Sequence, residues 1–200
     1  MNDKLFICAL IFASLAGCAS TGNKAVSRVD PASVSKEHFR SATSFKEDTQ
    51  GAYANFSTEN VVKENAASPE EFQSDYLFAS VDKKHGNVGF VLIHMGTNKF
   101  WRTNANVSIE TPQGTFTKVA TVKGTKNECS GSDCWHLESV SLVIPESLVR
   151  AYAKRYENNR SETWKFKVFP SYEGEIPAGE MAGIMSRVDE YRQSLGLPSP

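Results

Sequence analysis

Cys129 and Cys134, with His136 and Glu138 just beyond them and His94 upstream, are the side chains whose types could do chemistry in this 200-residue chain. Paired thiols can exchange electrons, and thiolate with imidazole suits zinc. A redox pair usually has two intervening residues and opens a helix, whose N-terminus lowers the thiol pKa. Here four residues, Ser130-Gly131-Ser132-Asp133, intervene, and both flanks read as strands. A zinc site could draw on Cys129, Cys134 and His136, with Glu138 or His94 as fourth ligand, yet the spacing fits no strong zinc signature. Neither a metal nor a cofactor is expected. Ser33-Val34-Ser35-Lys36 and Ser80-Val81-Asp82-Lys83 match Ser-x-x-Lys formally, without the partner motifs or helical context of a serine acyltransferase. His94 lies in an apolar strand, where a hydrogen-bonded core or edge histidine is the expectation, and no Ser or Cys nucleophile pairs with it from sequence. No catalytic residue is assigned.

The elements that must position these residues are mainly strands. Tyr76 to Val81 mixes aromatic and β-branched residues, Lys83 to Asn87 reads as a hairpin break, and Val88 to Met95 is nearly all apolar. In Phe100 to Glu110, Trp101, Thr103, Ala105, Val107 and Ile109 alternate with polar residues, and period two means strand. Thr111-Pro112-Gln113-Gly114 supplies a turn, so Thr115 to Lys123 returns antiparallel. His136 to Ile144 continues the meander with Val140, Leu142 and Ile144 on one face, and Trp164, Phe166 and Val168 alternate with Lys165 and Lys167. Pro145 and Pro177 each stand where a helix begins, since proline's φ is already helical. Leu148, Val149, Tyr152 and Tyr156 follow the first at helical spacing, and Met181, Ile184, Met185 and Val188 the second. Between Tyr53 and Glu71 the signals support one possible edge strand.

Twenty-two Lys and Arg against 23 Asp and Glu, in no long run, argue against nucleic acid or a polybasic membrane surface as partner. The three tryptophans and the Met181/Met185 pair read as core packing. The N-terminus is more specific. Leu5 to Ala16 is an apolar run too short to span a bilayer, which takes roughly 20 residues. It ends in Leu15-Ala16-Gly17-Cys18, with cysteine where a plain secretory signal would end Ala-x-Ala.

That stretch resembles the lipobox of bacterial lipoproteins. The resemblance implies cleavage between Gly17 and Cys18, lipidation of Cys18, and, with Ala19 rather than aspartate following, an outer-membrane destination. It also implies an oxidising compartment, in which Cys129 and Cys134 are expected to form a disulfide that staples a turn between strands. The mature domain is similar only loosely to uncharacterised bacterial lipoproteins, which implies no activity.

The expected organisation is a signal peptide at 1–17, a lipidated N-terminus and flexible tether at 18–48, and one globular domain at 49–197. Val34 to Phe45 is the exception within the tether, where Phe39 and Phe45 could dock on the domain. The expected fold is α+β, an antiparallel β-meander sheet or sandwich of about six strands with two amphipathic helices packed on it. The expected function is a non-enzymatic interaction or structural module of the cell envelope, held to the membrane by Cys18 and partnered by an envelope protein or polymer. The alternative is an envelope hydrolase or redox enzyme whose site gathers dispersed residues such as His94, His136 and Glu138. A small-ligand binder would need a deep apolar cavity.

Overall fold

The structure, a computed structural model, describes residues 34–59, 73–98, 102, 104–130, 133–170 and 172–197. The signal, Cys18, residues 60–71 of the Tyr53–Glu71 stretch, Phe100, Trp101 and Thr103 lie outside the described residues.

Among the described residues the chain forms nine strands: β1 (Ser44–Glu47), β2 (Tyr53–Ser57), β3 (Gln73–Asp82), β4 (Val88–Asn98), β5 (Asn104–Thr111), β6 (Gly114–Ser130), β7 (Asp133–Ile144), β8 (Thr163–Val168) and β9 (Tyr172–Pro177). They form one open sheet in the order β1-β2-β3-β4-β7-β6-β5-β8-β9. Every pairing is antiparallel. The class is α+β as expected, with more strands than the expected six. β1 and β9 account for two of the surplus: β1 hides in a short polar stretch, and β9 is masked by Gly174 and Pro177. The first strand after Tyr53 is not the edge, because β1 pairs outside it.

Strand faces follow the sequence pattern closely. Ala105, Val107 and Ile109 are buried, as are Val140, Leu142 and Ile144, whereas Val143 on the opposite face is 67% exposed. β4 pairs on both edges but is covered more fully on one face: Phe90, Leu92 and His94 are buried, while Val91, Ile93 and Met95 are half-buried. The turn at 112–113 closes through Gly114 at φ +119°, a left-handed position that glycine enters without strain.

Among the described residues three helices are present where two were expected: α1 (Lys36–Ala42), α2 (Glu146–Asn158) and α3 (Ala178–Ser194), with α2 and α3 on the core face and α1 packed on α3. Pro145 and Pro177 stand directly before α2 and α3. Ser35 caps α1 by accepting from the His38 amide at 3.1 Å. α1 and β1 fall inside the 18–48 stretch, and Phe39 docks there at 2% exposure. Phe45 remains 45% exposed, with its ring 5.3 Å from Phe56 and 5.5 Å from Tyr191.

α3 departs from the expected single apolar stripe. Ala178 through Met185 are all buried, because α3 packs at once on α1, α2, β2, β3 and β9. Small residues make this possible. A Cβ on Gly183 would stand 2.5 Å from Phe39 Cβ and 2.8 Å from the Arg40 amide nitrogen, so α1 crosses at glycine. The sheet also curls, bringing β9 at its far end back onto β3. That return sets up the polar cluster described next.

Candidate functional site

Asp75 and His94 face each other across the β3–β4 ladder, on the face that carries Leu77 and Leu92. Both are buried, at 8% and 4% exposure, and His94 Nδ1 lies 2.8 Å from Asp75 Oδ1. With Asp75 ionised, Nδ1 carries the hydrogen and donates it, which fixes the tautomer. Tyr172 on β9 donates its hydroxyl to the other carboxylate oxygen, Asp75 Oδ2, in a short hydrogen bond. Its ring stacks on His94 with centroids 4.2 Å apart and planes at 28°. The approach needs Gly174: a Cβ there would sit 2.7 Å from Asp75 Oδ2 and 2.3 Å from Phe166 Cζ. One carboxylate thus joins three strands, two of them from opposite sides of the curl.

A second carboxyl lies beside this group. Glu180, in the first turn of α3, is fully buried. β2 has ended at Ser57, so the Leu77 amide lacks a strand partner there. It donates instead to Thr58 Oγ1 at 2.9 Å and to Glu180 Oε1 at 3.1 Å. The Thr58 hydroxyl donates to the same Oε1 at 2.5 Å. Glu180 Oε2 has no hydrogen-bond partner among the described residues. Burial pushes the Glu180 carboxyl up to about 8, with the Asp75 charge adding to the rise, while the Thr58 and Leu77 donors pull against it.

A third group occupies the neighbouring strands. Glu138 stands two residues along β7 from Val140, the partner of His94, on the same sheet face. It is 0% exposed and takes three donors: the Arg102 amide at 2.6 Å, Arg102 Nε at 2.7 Å and Asn98 Nδ2 at 2.9 Å. His136 lies further along and meets Asn127 Oδ1 at 2.8 Å through Nδ1. Beyond it the β6–β7 hairpin ends in the Cys129–Cys134 disulfide, with Cα atoms 4.0 Å apart.

His94, His136 and Glu138 therefore share a sheet face without forming one centre. His94 belongs to Asp75, Glu138 to Arg102 and His136 to Asn127, and about 13 Å of β7 separates His136 from the level of His94. The Asp75–His94 pair has the form of a general base with its orienting carboxylate, but no Ser, Thr or Cys is hydrogen-bonded to His94 among the described residues. Cys129 and Cys134 hold each other, so neither offers a thiolate to a metal that Glu138 or His94 could help bind. No three His, Cys, Asp or Glu side chains are grouped to share a metal ion among the described residues.

A cleft between the helices, lined by Lys36, Arg150, Lys154, Glu157 and Asp189 over Ala182 and Met185, encloses about 200 Å³. Its polar rim and small volume differ from the roughly 300–1,000 Å³ apolar pockets that bury drug-sized ligands. Among the described residues no helix is long and apolar enough to cross a membrane.

Sequence reasoning placed His94 as a hydrogen-bonded core or edge histidine, and the structure puts it in the core. It missed Asp75, Tyr172, Glu180, Thr58 and Arg102. A signal existed for two of these, since Asp75 interrupts an aromatic strand and Glu180 is the sole charge in Ala178-Gly179-Glu180-Met181-Ala182-Gly183. No protein-family model, no curated protein and no solved structure matches the chain.

Proposed function

We propose that this chain is a lipid-anchored, non-enzymatic interaction or structural module of the bacterial cell envelope, tethered to the outer membrane by Cys18. Leu15-Ala16-Gly17-Cys18, at the end of a short apolar run, supports the anchor. The observation that carries the non-enzymatic part is the mutual engagement of two groups of buried polar side chains, one around Asp75 and one around Glu138. Asp75, His94 and Tyr172 bond to one another across three strands, and Glu138 is occupied by Arg102 and Asn98. Such closed networks brace a curved sheet, and buried polar groups satisfied in this way favour a single packing arrangement. The working surface is then the exterior of the domain, and the partner an envelope protein or polymer.

Intact-mass analysis of the protein extracted from its membrane, beside a Cys18→Ser variant, tests the anchor. The expected result is a chain beginning at Cys18 with the mass of its acyl groups, sedimenting with the outer membrane, and a variant lacking both. An unmodified chain beginning at Met1 would sink the reading. Cross-linking in cells tests the module, and a clean failure to trap any specific envelope component would count against it.

A further inference from the structure

The seam where α3 lies on β3, beneath the returning β9, places a second carboxyl group beside Asp75 with no cation paired to it among the described residues. Glu180 Oε1 accepts from the Leu77 amide, and Asp75 stands two residues away on the same strand. Asp75 is already committed as the acceptor of His94 Nδ1 and the Tyr172 hydroxyl. Glu180 lies in no ion pair among the described residues, has zero exposure, and presents one oxygen without a donor. An ionised carboxylate at this position would leave that oxygen charged, dry and opposed to Asp75. A neutral acid removes the charge and its opposition to Asp75, leaving only the smaller cost of an unpaired buried hydroxyl: Oε1 remains the carbonyl acceptor of both donors and Oε2 carries the proton.

Among the described residues the arginines on α3 and the helices against it pair elsewhere: Arg40 of α1 with Glu190, Arg150 of α2 with Glu146 and Asp189, Arg187 with Glu190 and Arg192 with Glu146. Tyr156 of α2 accepts from the Lys36 amide, and Tyr172 of β9 donates to Asp75. Glu59, just past β2, acts on Tyr76. Asp75 is the group whose charge bears on Glu180.

We propose that Glu180 is kept as the neutral acid around neutral pH and that losing its proton to solvent loosens the contact of α3 and β9 with β3. The fold thus carries a latch opened by alkali. β9 runs directly into α3 through Pro177, so the two elements are released as one segment. Burial raises the folded-state pKa of this acid above its unfolded value. The folded chain therefore holds this proton until pH reaches about 8, and the stability it contributes is full below the ordinary glutamate range, declines above it and is lost as pH climbs through about 8.

Two measurements on the full chain test this. Infrared titration of the wild-type protein should show a protonated-carboxyl band at pH 7 that bleaches with a midpoint near 8. Disappearance of every such band below pH 6 would overturn the proposal without any variant. Thermal unfolding should show Tm falling by roughly 5–10 °C between pH 6 and pH 9, with this decrement largely absent in Glu180→Gln. Hydrogen exchange, corrected for intrinsic pH dependence, should rise over 172–182 and 73–79 but not over 114–122. A Tm decrement equal in the variant, or a rise spread evenly over the chain, would refute the latch.

Discussion

Glu138 shows how a single buried charge is tolerated. Its carboxylate is 0% exposed, yet three donors reach it, two from Arg102, whose side chain is 22% exposed. Removing Arg102 strands that charge in the core, so Arg102→Leu is expected to cost on the order of 3–5 kcal/mol by urea denaturation. Removing both charges in Arg102→Leu/Glu138→Leu leaves nothing stranded, and the double variant is expected to recover most of the loss. A single variant within about 1 kcal/mol of wild type would mean that water already satisfies Glu138. Asp75 follows the same logic with His94 and Tyr172 as its donors. His94 was readable as a core or edge histidine because its own strand is apolar. Its partners were not, because a side chain's neighbours across a curl leave no trace in local spacing.

Among the elements, α3 matters most, and small residues govern how it is surrounded. Gly183 admits the backbone of α1, whereas Gly179 stands against the Tyr156 ring, 3.1 Å from where a Cβ would lie. Gly183→Ala gains up to about 1 kcal/mol of helix propensity but drives a methyl into the α1 backbone. The expected balance is a loss of roughly 1–3 kcal/mol. Its signature is loss of amide protection across residues 36–42 while α3 stays protected. Protection unchanged in α1 would mean that the crossing relaxes freely. The two proline-started helices were legible because a fixed φ is a local property, and α2 buries Leu148, Val149, Tyr152 and Tyr156 as its spacing demands. α1 was less legible, since its seven residues carry one large apolar side chain, Phe39, and form a helix only where α3 offers a surface.

At the scale of the whole molecule, the core is continuous from Phe56 on β2 to Trp164 on β8 and Ile176 on β9, with Met181, Ile184 and Val188 of α3 among them. Beside this widely shared core, the other cluster among the described residues, Tyr156 with Ala178 and Ala182 between α2 and α3, is too small to fold by itself. Unfolding in denaturant at constant pH is therefore expected to be a single transition, with far-UV circular dichroism and tryptophan fluorescence giving the same midpoint. Separated midpoints would reveal that the sheet and its helices part in stages. The stapled end of the β6–β7 hairpin is the place where exchange should be fastest, because β4 ends at Asn98, opposite His136, while the hairpin runs on to Cys129 and Cys134.

The amino-acid sequence by itself determined the class of each long strand, the faces of β5, β7 and β8, the starts of α2 and α3, and the one cysteine pair close enough to bridge across a turn. These are local properties, set by alternation, by proline geometry and by short loop closure. Only the tertiary structure decided that β7 inserts between β4 and β6, that β9 returns onto β3, and that the first two turns of α3 are buried on all sides. The polar cluster depends on those decisions. Asp75 meets Tyr172 across 97 positions, and Thr58 meets Glu180 across 122. Contacts so distant in sequence arise from sheet curvature and helix docking, which are collective outcomes of packing.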